Sequence, residues 1–207
     1  MTEAIINAGD GSGSLYYLGG AGESYTTVHN ATEGLATTFP TVNEIGQDYT
    51  TSTNKYNLRR GGLIFDTSGI GSGDTIDTAV LSLYGQAKDT DQDFDLTVVS
   101  GTNLDNPVVD TDYGDLLNST TSFGSMLAST FQIGGAENQI TLNSTGIAAI
   151  VKGGITKFGI RSSRDINSNA PTDAIFEYIQ FRGTGSSPIP KLTINYTSGF
   201  TPKIFFF

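Results

Sequence analysis

Thr75-Ile-Asp-Thr-Ala-Val-Leu-Ser-Leu-Tyr84 places Ala79, Leu81 and Leu83 on one side of an extended chain and Val80, Ser82 and Tyr84 on the other. This period of two is what a half-buried strand requires, and a helix with a period of 3.6 does not produce it. Similar patterns lie to either side. Gly62-Leu-Ile-Phe-Asp66 is a short apolar strand, stopped by a turn-prone run through Asp74. Residues 94–100 set Phe94, Leu96 and Val98 on one side, and residues 191–196 set Leu192, Ile194 and Tyr196 against Lys191, Thr193 and Asn195. Ile140-Thr-Leu142, residues 158–162 and residues 175–182 complete a set of strands separated by Gly, Asn, Asp and Ser, which is the layout of an all-β fold.

One segment departs from the pattern. In Ser144-Thr-Gly-Ile-Ala-Ala-Ile-Val-Lys-Gly153, Ile147, Ile150 and Val151 fall at i, i+3 and i+4 behind a capping Ser or Thr, which predicts one short helix of about two turns plugging an end of a β-sandwich. Before the strands, residues 8–23 hold many small residues around Leu15-Tyr16-Tyr17-Leu18 and read as an irregular arm. Residues 25–57 read as short strands and long loops. The expected organisation is an extended N-terminal arm over 1–23, a β-sandwich over 24–197 and an aromatic C-terminal tail over 198–207.

The 207 residues suit a single domain of this kind. Eleven Lys and Arg against 21 Asp and Glu give a net charge of −10, the wrong sign for a protein that must neutralise phosphates, so nucleic acid and anionic membrane surfaces are not expected partners. With no Cys, disulfides, thiolate nucleophiles and Cys-based zinc sites are excluded, and a single His leaves little for acid–base relays. No apolar run is long enough to span a bilayer. The start has neither a basic n-region nor an apolar stretch of signal-peptide length, so release by ordinary secretion is not expected.

Asp89-Thr-Asp91-Gln-Asp93-Phe-Asp95 carries carboxylates at alternate positions, and hard oxygen ligands at that density suit Ca²⁺. The stretch departs from an EF-hand loop, with Phe94 where Gly is needed and Ser100 where a bidentate Glu belongs. The other reading is a solvated turn whose charges keep a strand edge from pairing. Asp105, Asp110, Asp112 and Asp115 form a second acidic cluster open to the same two readings. No other cofactor is expected. Catalysis is not expected either: Glu is scarce, none of it lies in a recognisable motif, and no nucleophile elbow or Walker sequence occurs. His29 reads as a loop or interface residue, and Arg161 and Arg164 near Asp165 as braces for the loop before Ile175. Tyr16, Tyr17, Tyr25, Tyr49, Tyr56 and Tyr113 can either stack on sugars or fill the edges of a core.

Beyond Tyr196 the chain carries Phe200, Ile204, Phe205, Phe206 and Phe207. Exposed apolar residues at this density mark a contact, unless the segment folds back on its own domain as an added strand. With Leu15, Tyr16, Tyr17 and Leu18 they are the candidate partner-binding residues.

The blocks Arg59-Arg-Gly-Gly-Leu-Ile-Phe-Asp66, Gly73-Asp-Thr-Ile76, Ala79-Val-Leu-Ser-Leu-Tyr84, Asn138-Gln-Ile-Thr-Leu-Asn143, Gly154-Ile-Thr-Lys-Phe-Gly-Ile-Arg161 and Pro190-Lys-Leu-Thr-Ile-Asn-Tyr196 resemble, in order and spacing, carbohydrate-binding-module-like DNRLRE domains over about residues 59 to 196. The resemblance implies a jelly-roll β-sandwich serving as a non-catalytic module in secreted, cell-surface or phage-encoded proteins. With no export signal read, the expectation is a non-enzymatic virion component, a capsid-decorating or fibre/tail protein. It would bind other copies of itself or a capsid or tail protein, with closed symmetric oligomers such as trimers as the natural form. The alternative is an extracellular or cell-surface carbohydrate-binding module attached to a glycan.

Overall fold

In the computed structural model, which describes residues 1–172 and 175–199, twelve strands form one antiparallel sheet. They are β1 (Thr2–Asn7), β2 (Gly13–Leu18), β3 (Leu35–Thr38), β4 (Val42–Thr50), β5 (Lys55–Asp66), β6 (Thr75–Thr90), β7 (Asp95–Ser100), β8 (Gly124–Leu127), β9 (Glu137–Thr141), β10 (Ile155–Ser162), β11 (Phe176–Arg182) and β12 (Lys191–Thr197). The order across the sheet is β1-β12-β6-β11-β4-β5-β10-β7-β8; β9 pairs with β6, and β2 joins β5 to β3. The all-β expectation therefore holds.

The sheet curls on itself. Leu81 and Leu83 of β6, Ile179 and Phe181 of β11 and Leu192 and Ile194 of β12 share one buried cluster with Leu63 and Phe65 of β5, Phe158 and Ile160 of β10 and Leu96 and Val98 of β7. Only strong coiling brings strands so far apart in the order onto one core. A bridge between Ala8 and Phe65 ties the two halves together. The second face of β5 is covered too: Leu58 and Ile64 pack with Leu15, Val28, Leu104, Val108, Tyr113 and Leu116 beneath the loops. Burial on both faces explains why β5 reads as a nearly continuous apolar run from Gly61 to Phe65.

The N-terminal segment differs from its sequence reading. It is not an irregular arm: β1 lies along β12, with Ile5 opposite Thr193, and β2 lies between β3 and β5. Its glycines mark close backbone approach. A Cβ on Gly13 would stand 2.4 Å from the Thr37 carbonyl oxygen, and one on Gly19 equally close to that of Tyr56.

Among the described residues there are four short α-helices where one was expected: α1 (Tyr25–His29), α2 (Asp112–Asp115), α3 (Ser144–Ala148) and α4 (Ser163–Ile166). The helix read over 144–153 is α3, shorter by half. The Asn143 side chain, not Ser144 or Thr145, caps it by accepting from the Gly146 N–H at 2.9 Å. It stops early because the Val151 N–H turns to the Thr156 hydroxyl at 2.9 Å and leaves the helical ladder. Among the described residues no helix is long and apolar enough to cross a membrane.

Candidate functional site

Strand β4 pairs with β11 along its length, but with β5 only from Gly46 onward. At Gly46, where φ is +137°, the strand bends, and its first half leaves β5. That half lies near β2, where the Ser14 hydroxyl donates to Asn43 Oδ1 at 3.0 Å. Between them opens a cleft of about 340 Å³, walled by Ser14, Tyr16 and Leu18 of β2, Thr37 of β3, and Pro40 and Val42, with Glu44 and Arg59 at its base.

The base is polar and internally matched. Arg59 forms ion pairs with both Glu44 and Asp48. Asn57 donates to Asp48 Oδ2 at 2.8 Å and Gln180 to Glu44 Oε2 at 2.6 Å. Tyr178 of β11 stands opposite Gly46, which stands opposite Arg59, which stands opposite Tyr16. Burial, with the carboxylates of Glu44 and Asp89 nearby, pushes the Tyr178 phenol up, so it remains a hydrogen-bond donor at neutral pH. Beside the cleft Leu18 is 54 % and Leu35 49 % exposed, and the two line an adjoining hollow with Tyr16 and Tyr17. Among the described residues β3 pairs with β2 alone, and Asp110 caps its other edge: the Gly34 N–H donates to the Asp110 carbonyl at 2.9 Å and the Ala36 N–H to Asp110 Oδ1 at 2.8 Å. The arrangement offers shape, aromatic faces and fixed hydrogen-bonding groups. It is suited to holding a partner.

A second polar assembly lies under the loops, fully buried. Arg60 donates from Nε and Nη2 to the two oxygens of Asp165 at 3.0 and 2.9 Å, and Arg161 Nε donates to Asp165 Oδ2 at 2.6 Å. Further donors of Arg60 meet the carbonyls of Tyr113 and His29, and Arg161 Nη1 reaches those of Leu116, Leu117 and Ser119. Burial alone would raise the Asp165 carboxyl, but the guanidiniums of Arg60 and Arg161 hold it well below the usual carboxylate range. His29 is buried, with Nε2 at 2.8 Å from the Asp165 carbonyl oxygen. Next to it the Tyr25 hydroxyl donates to Gln47, whose amide donates to Glu177, and Arg164 pairs with Glu177 at 2.7 Å. Burial pushes the Glu177 carboxyl up, against the pull of Arg164 and Gln47. This network braces β5, β10 and the loops over them; Arg164 reaches the loop before Ile175 at the Ala170 carbonyl, 3.3 Å away, whereas Arg161 holds residues 116–119 instead.

The sequence candidates separate. Tyr16 and Leu18 wall the cleft, whereas Leu15 is fully buried and Tyr17 packs on the other face, with its ring centroid 6.0 Å from that of Tyr113. Phe200, Ile204, Phe205, Phe206 and Phe207 lie outside the described residues. Asp89 ends up in β6 and Asp95 in β7, with Asp91 and Asp93 in the turn between them. Asp93 accepts from the N–H groups of Phe94 and Ser129, and Asp91 from that of Phe176, so both serve the turn. Among the described residues no three His, Asp or Glu side chains gather into a group that could hold an ion. Of the second acidic cluster, Asp112 accepts from the N–H groups of Asp105 and Val109. Tyr25 and Tyr113 are core residues, and Tyr49 and Tyr56 stack with centroids 4.4 Å apart. Glu44, Arg59, Tyr178, Gln180 and Leu35 were not singled out by sequence. The alternation Phe176, Tyr178, Gln180, Arg182 along β11 is the signal that marks its outward face. A scan against protein-family models gives no match for this chain, and no curated protein matches it.

Proposed function

We propose that the chain is a non-enzymatic jelly-roll module of a virion surface, a capsid-decorating or fibre/tail component that acts through protein–protein contacts. The observation that carries the proposal is the pair of half-exposed leucines, Leu18 at the end of β2 and Leu35 at the start of β3, that line one hollow beside the cleft. Large apolar side chains held half-exposed side by side are what an assembly contact uses, by burying them against a partner. The partner is another copy of the chain or a capsid or tail protein, and the block order shared with DNRLRE domains supports a module built for attachment. Leu35→Glu puts a charge beside Leu18 in this hollow. It is expected to weaken self-association or particle decoration at least tenfold, about 1.4 kcal/mol, with an unchanged circular dichroism spectrum. Sedimentation velocity and quantitative mass spectrometry of purified particles check this. Wild-type protein that stays monomeric and is absent from particles would overturn the proposal.

A second reading, glycan binding, is favoured by one arrangement: Tyr16 and Tyr178 share a sheet face with the planar groups of Glu44, Arg59 and Gln180. Aromatic faces beside planar hydrogen-bonding groups suit a sugar ring. On a glycan microarray with and without Ca²⁺, that reading requires a signal that Tyr178→Ala abolishes and Leu35→Glu leaves intact.

A further inference from the structure

At the end of the sheet where β6 begins, a groove of about 320 Å³ is walled by Ile76, Ile147, Ala148 and Ile150, with Asp74 and Lys152 at its lip. Val151, 48 % exposed, follows directly from this wall. The last described residue is fastened to the same lip: the Gly199 N–H donates to Asp74 Oδ1 at 3.0 Å, and two residues earlier the Thr197 hydroxyl donates to Asp77 Oδ2 at 2.9 Å. Asp74 thus both lines the groove and anchors the chain as it leaves β12. Lys152 Nζ, donating to the Asp74 carbonyl at 2.8 Å, closes the lip from the α3 side.

We infer that the segment 200–207 of this chain occupies this groove on its own molecule. Its composition fits: the period of two in Phe200, Ile204 and Phe206 is that of a segment with one apolar side, the partner that Ile76, Ile147 and Ile150 require, and Lys203 is opposite in charge to Asp74 at the lip. The reach fits too. From Gly199 to Phe206 an extended chain spans about 23 Å, enough to traverse the groove from its lip. The tether decides which molecule supplies the segment. A few residues of linker hold it at an effective concentration in the millimolar range, so a segment from a second copy at micromolar concentration is outcompeted by about a thousandfold. This contact is independent of Leu18 and Leu35, and it assigns the aromatic tail to its own molecule rather than to assembly.

The absence of cysteine from the sequence makes the test direct. The full chain carrying Ala148→Cys with Phe206→Cys is oxidised mildly at low micromolar concentration beside a control carrying Thr37→Cys with Phe206→Cys; Ala148 and Thr37 are both exposed. The groove pair is expected to form an intramolecular disulfide at least tenfold faster than the control, in a monomer. Equal rates, or disulfide-linked dimers, would overturn the inference. Hydrogen exchange on the otherwise unaltered protein reads the same contact without cysteines. Amides 145–152 are expected to exchange at least tenfold more slowly in the full chain than in one ending at Gly199, and equal exchange counts against the inference. Leu35→Glu leaves both readouts unchanged, so failure here is separable from failure of the assembly reading.

Discussion

Asp165→Asn is expected to lower the free energy of unfolding by about 3–5 kcal/mol, the cost of removing one partner from a buried charge cluster. The substitution keeps the shape of the side chain and removes its charge. Arg60 and Arg161, both fully buried, then face each other without the carboxylate that separates them. Neither can lose its proton, and an amide can accept from only one side. The loops held by this cluster come from α1, α2 and α4, so the damage extends to the layer over Leu58 and Ile64. Urea titration of the wild type and the variant reads the difference. A loss below about 1 kcal/mol would mean that the two guanidiniums find compensation elsewhere, and the bracing role would fall. The dependence on pH gives a second readout. Because Arg60 and Arg161 hold the folded-state carboxyl far below the ordinary aspartate value, the unfolded chain binds the proton more readily. The stabilisation is therefore complete above about pH 4 and is lost as the pH falls from there towards the native value. Glu177 works in the opposite sense: burial raises its carboxyl, so its contribution declines as the pH rises above the ordinary glutamate value. Wild-type stability is expected to fall steeply on acidification below about pH 4, and that limb is expected to be shallower in Asp165→Asn.

The strands that form the main core were legible because each alternates cleanly. Ala79, Leu81 and Leu83 of β6 and Leu192 and Ile194 of β12 are all fully buried, as the period of two requires. The first two strands were not legible, because Gly and Ser read as looseness when they were serving close approach: Gly13 and Gly19 sit where neighbouring carbonyls leave no room for a Cβ. The same period of two, applied to Leu15-Tyr16-Tyr17-Leu18, separates Leu15 and Tyr17 on the covered face from Tyr16 and Leu18 at the cleft. It also distinguishes Arg60, which shares a face with buried Leu58, from Arg59, which shares one with Asn57 at the surface. Asp89 ends β6 and Asp95 begins β7, so the four carboxylates from Asp89 to Asp95 do not sit along one extended strand, and residues 91–94 connect the two. The cleft was the hardest feature to read, because it arises where one strand changes neighbours, and no local pattern in Val42-Asn-Glu-Ile-Gly-Gln-Asp-Tyr-Thr50 announces that beyond a single glycine.

That glycine carries the second large effect. Gly46→Ala is expected to destabilise the protein by about 3 kcal/mol or more, combining backbone strain of about 1–3 kcal/mol with overpacking of similar size. At φ +137° an L-residue is strained whatever the space around it, and the space is absent: the new Cβ would lie 1.9 Å from the Glu177 carbonyl oxygen and 2.8 Å from the Tyr178 Cα. Both contacts are backbone, so no rotamer change relieves them. Either β11 withdraws, carrying Tyr178 and Gln180 from the cleft, or β4 straightens towards β5 and carries Glu44 away from its place beside Arg59. Gly69→Ala is the matched control, because nothing lies within 4 Å of a Cβ there. It shares the gain from a less flexible unfolded chain, about 0.4–1 kcal/mol, so the difference between the two variants isolates the folded-state cost. Denaturant unfolding reads the energy, and the chemical shifts of the Tyr178 and Gln180 amides read the displacement. If Gly46→Ala matched Gly69→Ala in stability, β4 would tolerate a continuous run along β5, and the bend that opens the cleft would owe nothing to this residue. If stability fell but the Tyr178 and Gln180 signals stayed in place, strain alone would account for the loss, and the coupling between the bend and the cleft would be refuted.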